Sequence, residues 1–271
     1  MKAGAAAKRP PLGQAIAEYG PAVLLVALAF AAWEIATRVW RIQAWLLPAP
    51  SAIARAAVDA RHLLGPHLAQ TVAETLVGFA VALASGLMLA LLIDVSATLR
   101  RALYPLLVVS QTIPIIAIAP LLVIWFGYGL LPKVVVVGLV CFFPIVVGTA
   151  DGLRSTDPDL IALLQSMGAT RRQIFLKVRV PASLPGMFTG IKVAITYSVV
   201  GAIIGEWVGA SRGLGVFMLR ASNSFRTDWV FATIGVVSAL SLALFLAVVA
   251  AERLALPWFY TRAREERWEE M

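Results

Sequence analysis

Six runs of about twenty apolar residues, parted by short charged stretches, fix most of what this chain can fold into. A bilayer-crossing helix needs about 20 mostly apolar residues. The runs are roughly 21–40, 71–93, 103–126, 134–150, 187–208 and 229–251. The first contains Glu34, the fifth has Lys192 near one end and Glu206 near the other, and the second is uncharged from Thr75 onward. Only 14% of the 271 residues are charged and 60% are hydrophobic, with a mean hydropathy of +0.85. A soluble domain of this length carries about a quarter charged residues. The expectation is an all-α integral membrane bundle of six transmembrane helices. "ALAFAA" in the first run offers small residues for signal cleavage. Some twenty residues precede the apolar core and the run continues through "WEIATRVW", so it is read as a retained span.

Charge placement gives an orientation. With the N-terminus in the cytoplasm, the inner segments hold Lys2, Lys8, Arg9, Arg100, Arg101, Arg154, Arg171, Arg172, Lys177, Arg179, Arg253, Arg262, Arg264 and Arg267. The outer segments hold Arg41, Arg55, Arg61, Lys133, Arg212, Arg220 and Arg226. Fourteen against seven favours both termini inside. The net charge of +8 is thereby read as topology, and no nucleic-acid partner is expected. Cys141 lies in an apolar run, is the only cysteine, and is read as a small core residue. No metal site is expected. His62 and His67, in "PSAIARAAVDARHLLG", are read as solvated residues of an amphipathic interfacial helix.

The longest inner loop, 151–185, is ordered by its own sequence. Asp157 can cap a helix and Pro158 suits its first turn. Leu160, Leu163, Leu164 and Met167 then recur on one face. Gly168 and Ala169 follow where a helix can end in a left-handed residue. Thr170 and Gln173 have capping-box spacing and restart a helix, whose second apolar stripe is Ile174, Phe175 and Val178. Arg171, Arg172, Lys177 and Arg179 stay available to water or an acidic surface, and Pro181 and Pro185 are expected to end the helix before the next span. Helices this short do not stabilise themselves. Either the ridge packs under its own spans or it fits a groove in a cytoplasmic partner.

"ALLQSMGATRRQIFLKVRVP" resembles the EAA loop of membrane permeases of ABC importers. That motif opens Glu-Ala-Ala, places Gly six residues after the Glu and Pro thirteen residues after the Gly. Gly168 and Pro181 keep the spacing and Phe175 fills the aromatic or aliphatic position between them, whereas Ala162 stands where the family has Glu. "LPAPSAI", "IPIIAIAPLLVIWFGYGLLPK", "FTGIKVAITYSVVGAIIGEW", "GLGVFM" and "PWFY" extend the resemblance from about 46 to 260. They resemble the branch that carries sulfonates, taurine, nitrate and thiamin-pyrimidine or riboflavin precursors. "DGLRSTDPDLIALLQSMGAT" and "TYSVVGAIIGEW" look most like permeases for the pyrimidine or riboflavin group.

The resemblance implies a type I importer permease: a cytoplasmic segment 1–20, a permease domain 21–260 with coupling loop 151–185, and a cytoplasmic tail 261–271, in a bacterial inner membrane. It implies a homodimer, a cytoplasmic ATPase subunit that binds the ATP and Mg, and an extracytoplasmic binding protein. No cofactor belongs to this chain, which lacks a Gly-x-x-x-x-Gly-Lys-Ser/Thr loop and is expected not to be an enzyme. Leu160, Leu163, Leu164, Met167, Gly168, Ala169, Arg171, Phe175 and Pro181 would form the ATPase-coupling surface.

Path candidates come from polar residues within spans. Ser110, Gln111 and Thr112 lie one turn from Pro114, where a proline frees backbone carbonyls. They would line a cavity or bond a neighbouring helix, and Tyr197 and Ser198 share that ambiguity. Glu206 would serve a gate or a dimer contact, or sit at headgroup level. "SRGLG", 211–215, would turn the chain or touch the binding protein. Gly78 and Gly86 allow close helix approach. An ion-coupled secondary transporter is the rival, but no internal repeat is visible. A membrane enzyme is disfavoured, because "DGLRSTDPD" lacks the later spacing of a lipid-transferase motif.

Overall fold

The computed structural model describes residues 12–259, with side chains from residue 20. Most of the expected segment 1–20, and the tail 261–271, lie outside the described residues. Eleven α-helices follow one another, and no strand occurs among the described residues. They are α1 (Leu12–Val39), α2 (Pro50–Asp59), α3 (Arg61–Val95), α4 (Ala97–Ser110), α5 (Ile115–Phe126), α6 (Leu130–Arg154), α7 (Pro158–Ser166), α8 (Arg171–Ile174), α9 (Val180–Gly209), α10 (Leu214–Asn223) and α11 (Thr227–Ala255). Among the described residues five helical stretches are long and apolar enough to cross a bilayer, and six if the bent pair α4–α5 is counted as one span.

Three expectations are corrected. The third run is not one continuous helix, although its two halves together are apolar enough to make a sixth, broken span. It breaks into α4 and α5, bent by 98°, with Gln111–Pro114 at the break. Pro114 has no amide to donate and pushes Ile113 away from the helical region, so the chain turns there. Pro181 and Pro185 do not end a helix, because α8 runs through a π-helical turn, Phe175–Arg179, into α9. The wider π turn lies directly before Pro181, where a proline ring would crowd the carbonyl of a regular α turn. The interfacial helix stops at Asp59, and α3 starts at Arg61. His62 and His67 therefore belong to a 35-residue helix.

The chain divides into two compact units. One comprises the described residues up to Ala60 with Ala221–Ala232. Within it Glu34 accepts from the Ser51 amide at 3.0 Å and the Ser51 hydroxyl at 2.8 Å, tying α1 to α2. Arg226 pairs with Asp228 at 3.0 Å and lies over the Trp229 ring.

The other unit comprises Arg61–Arg220 and the described residues from Thr233. Its core is α3, α6 and α9 packed on one another. Ala82, Val137, Cys141, Ile145, Ala194 and Ala202 are buried together. The Cys141 thiol donates to the Ala194 carbonyl at 3.2 Å. Gly78 and Gly86 lie where α3 meets Val137 and Ile145 of α6. A closer seam joins α6 to α9. Gly148 and Gly152 face Gly186 and Gly190, so each helix offers glycines four residues apart. A Cβ on Gly148 would stand 2.8 Å from the Gly186 carbonyl, and one on Gly152 2.6 Å from that of Ser183. In lipid, where apolar burial does not drive helices together, backbone approach of this kind supplies the packing.

Candidate functional site: a loop end, a central cavity and a closed far end

At one end of the core, α7 and α8 build a compact corner. Asp157 Oδ1 accepts from the Asp159 amide at 2.8 Å and caps α7. The helix closes with a paired C-terminal motif: the Gly168 amide reaches the Gln165 carbonyl and the Ala169 amide the Leu164 carbonyl, both at 3.0 Å. Gly168 takes φ +84°, a conformation that costs a side-chain-bearing residue about 1–2 kcal/mol. Thr170 and Gln173 form a reciprocal capping box at the start of α8. Arg179 anchors the corner, donating to Asp94 at 2.7 Å and to the Leu153 carbonyl at 3.0 Å.

No residue of α7 is buried. Leu160 is 42% exposed, Leu163 57% and Met167 73%, a row of apolar side chains that the chain itself leaves uncovered. Leu164, Ala169, Phe175 and Pro181 are half-buried, while Gly168, Arg171 and Ala162 are exposed. The structure thus splits the sequence-predicted coupling set into an outward row and supports beneath it.

Midway along the core, a cavity of about 790 Å³ opens at the α4–α5 break. Gln111 and Tyr197 give it polar groups, and Ile118, Leu139, Phe142, Phe143 and Val193 give it apolar walls. Ser110 and Thr189 also line it, their hydroxyls donating to the Leu107 and Pro185 carbonyls of their own helices at 2.7 and 2.9 Å. No charged side chain lines it. Of the path candidates, Gln111 and Tyr197 meet here. Thr112 points elsewhere, its hydroxyl donating to the Val109 carbonyl at 2.8 Å. Ser198 is fully buried and donates to the Ile195 carbonyl at 2.6 Å.

Glu206 sits at the far end of α9, in a buried network. Its carboxylate accepts from Thr71 Oγ1 at 2.6 Å and from the Gly215 amide at 2.5 Å. Thr71 Oγ1 also accepts from the Leu214 amide at 2.8 Å. His67 is half-buried rather than solvated: the Gly213 amide donates to its Nδ1 at 2.9 Å. One helix turn along α3, Glu74 is buried against Lys133 of α6, and Gln70 donates to the same Glu74 oxygen at 2.7 Å. "SRGLG" is therefore stapled to α3 and α9 by side chains the sequence reading left unconnected. Glu74 and Lys133 carried a usable signal, since an ionisable residue inside a span needs a partner. The pairing of Lys192 with Glu252 at 3.0 Å, between α9 and α11, carried the same one. Among the described residues no group of three or more metal-ligating side chains occurs.

The core thus carries an uncovered apolar row on α7 at one end and an uncharged cavity midway. Residues 82–256 match the family described as the inner-membrane component of binding-protein-dependent transport systems. The chain belongs to that family. It is the permease subunit of an ABC importer, an integral inner-membrane protein. It is 44% identical to the formylaminopyrimidine transport permease protein ThiX of Halalkalibacterium halodurans, over 83% of this chain and 90% of that protein. It is 33% identical to the riboflavin transport system permease protein RibX of Chloroflexus aurantiacus, over 88% of this chain and 89% of that protein. Among solved structures, an inward-facing MetNI methionine ABC transporter matches the fold with a TM-score of 0.62 at 23% identity, covering 72% of this chain and 97% of that one.

Proposed function

We propose that this permease imports an uncharged, planar heteroaromatic solute of the thiamin-pyrimidine or riboflavin type. The observation that carries the proposal is the central cavity, which offers amide, hydroxyl and aromatic groups and no charge. A ring with amide-like edges can bond Gln111 and pack on Phe142, Phe143 or Tyr197. A sulfonate, taurine or nitrate ion entering the same space would lose its water with no charged partner, which is costly. The names of two relatives, for a formylaminopyrimidine and for riboflavin, support the same class.

The rest of the reading follows from the exposed α7 row. Two copies of the chain would form the pathway, with the 151–185 loop and both termini in the cytoplasm. Leu160, Leu163 and Met167 would seat in a cleft of an ATPase subunit, which would bind the ATP and Mg. Closure of the paired ATPases would draw the two α7 helices together and turn the cavity outward, a two-state change driven by differential contacts. An extracytoplasmic binding protein would deliver the solute at the far end.

The test is ATP-driven uptake by the reconstituted complex with its binding protein. Uptake of a labelled aminopyrimidine or flavin, uncompeted by taurine or nitrate, is the expected result. Preferential uptake of the anions would overturn the substrate reading. Uptake driven by an ion gradient without ATP would replace it with secondary transport.

A further inference from the structure

A second cavity, of about 500 Å³, lies behind α7. Arg100, Arg154, Arg171 and Arg179 line it, with Asp94 as the one carboxylate. Arg179 is committed to Asp94 at 2.7 Å. Arg100, Arg154 and Arg171 form no salt bridge among the described residues. Three unneutralised guanidiniums around one concavity repel each other and favour an anion between them. Guanidinium groups bind phosphate oxygens in particular, through paired N–H donors.

Two placements say what kind of anion reaches it. Asp94 is in the last turn of α3, Arg154 ends α6 and Arg100 is in the first turn of α4, so the cavity sits at the shared end of two helices long enough to span a bilayer and at the start of a third. On α7, Pro158, Ile161 and Gln165 face the cavity while Leu160, Leu163 and Met167 are the exposed row. At about 100° per residue these two faces are roughly 160° apart. A partner seated on the row does not fill the cavity. We propose that this cavity binds a phosphate-bearing anion, its nearest source being the headgroup of an anionic phospholipid, which links the coupling corner to the ends of α3, α4 and α6. Basic pockets at the ends of membrane helices are suited to such headgroups.

The test uses the full chain purified in a neutral detergent. Thermal unfolding and native mass spectra are recorded with phosphatidylglycerol or cardiolipin, with phosphatidylcholine, or with inorganic phosphate. The same series is run on Arg100→Gln, Arg154→Gln, their double variant, and Arg101→Gln as a control outside the cavity. The anionic lipids should stabilise the chain and remain bound, phosphatidylcholine should not, and each cavity variant should weaken retention roughly tenfold, the loss of one charge-assisted contact. Stabilisation by inorganic phosphate, lost in the same variants, supports the site with a soluble ligand. Anionic lipid held equally well by wild type and both single variants overturns it, and so does no stabilisation of wild type by either source. The single variants keep the test readable if the double variant does not fold.

Discussion

Thr71 of α3 and Glu206 of α9 meet at 2.6 Å, fully inside the protein, and the Leu214 amide closes on the same threonine hydroxyl. One hydroxyl therefore holds α3, α9 and the start of α10. Thr71→Val keeps the shape but removes both the donor to Glu206 and the acceptor for Leu214. An unmet buried polar group costs about 1–3 kcal/mol. A clearly lowered unfolding temperature is expected in Thr71→Val, with Thr71→Ser close to wild type. Equal stability of all three would show that the bond carries nothing.

The Glu74–Lys133 pair joins α3 to α6 beside this network. Breaking a buried pair leaves one uncompensated charge and costs about 3–5 kcal/mol, whereas replacing both partners by apolar residues is often near neutral. Glu74→Leu and Lys133→Met should each reduce folded yield sharply, and the double variant should recover most of it. Additive losses in such a cycle would mean that the two side chains act separately.

A Cβ at Gly168 would meet nothing within 4 Å, and the residue has a φ of +84°. The restriction there is conformational, not steric. Asparagine enters that conformation more readily than other side-chain-bearing residues. Uptake should therefore rank Gly168, then Asn, then Val or Arg, with insertion into the membrane unchanged throughout. Full uptake by Gly168→Arg would remove the role given to the α7 corner.

The four facing glycines of α6 and α9 leave no room for a side chain. Gly148→Val would drive a branched side chain against the backbone of Gly186 and Gly190. Overpacking of a core costs about 1–3 kcal/mol, and more where backbone must move. Gly138, which has open space, should accept alanine without loss, and the contrast between the two sites checks the seam.

Much of this was readable beforehand, for reasons that differ by region. Spans are written in long apolar runs, and α7 is written in local signals at Asp157, Gly168 and Thr170, so both followed from short-range chemistry. The break at Pro114 and the continuity through Pro181 look alike in sequence. Their outcomes differ because a π turn absorbs one proline and a bend absorbs the other. The two glycine pairs, at 148 and 152 and at 186 and 190, have the spacing of a helix-approach motif, and only their facing each other revealed the seam. Glu206 was visible as an ionisable residue inside a span, but its burial and its partners Thr71 and Gly215 could not be assigned, because side-chain contacts between distant helices follow from packing. Gln111 and Tyr197 share a cavity for the same reason, while Thr112 and Ser198 spend their hydroxyls on their own helices.

The exposed α7 row tests the central claim most directly. Leu163→Asp places a charge on an exposed side chain of α7, so it should leave folding intact. In the reconstituted complex, ATP-driven uptake should fall to background and the ATPase should no longer co-purify in equal amount. Normal uptake and an unchanged ATPase ratio in Leu163→Asp would contradict the account.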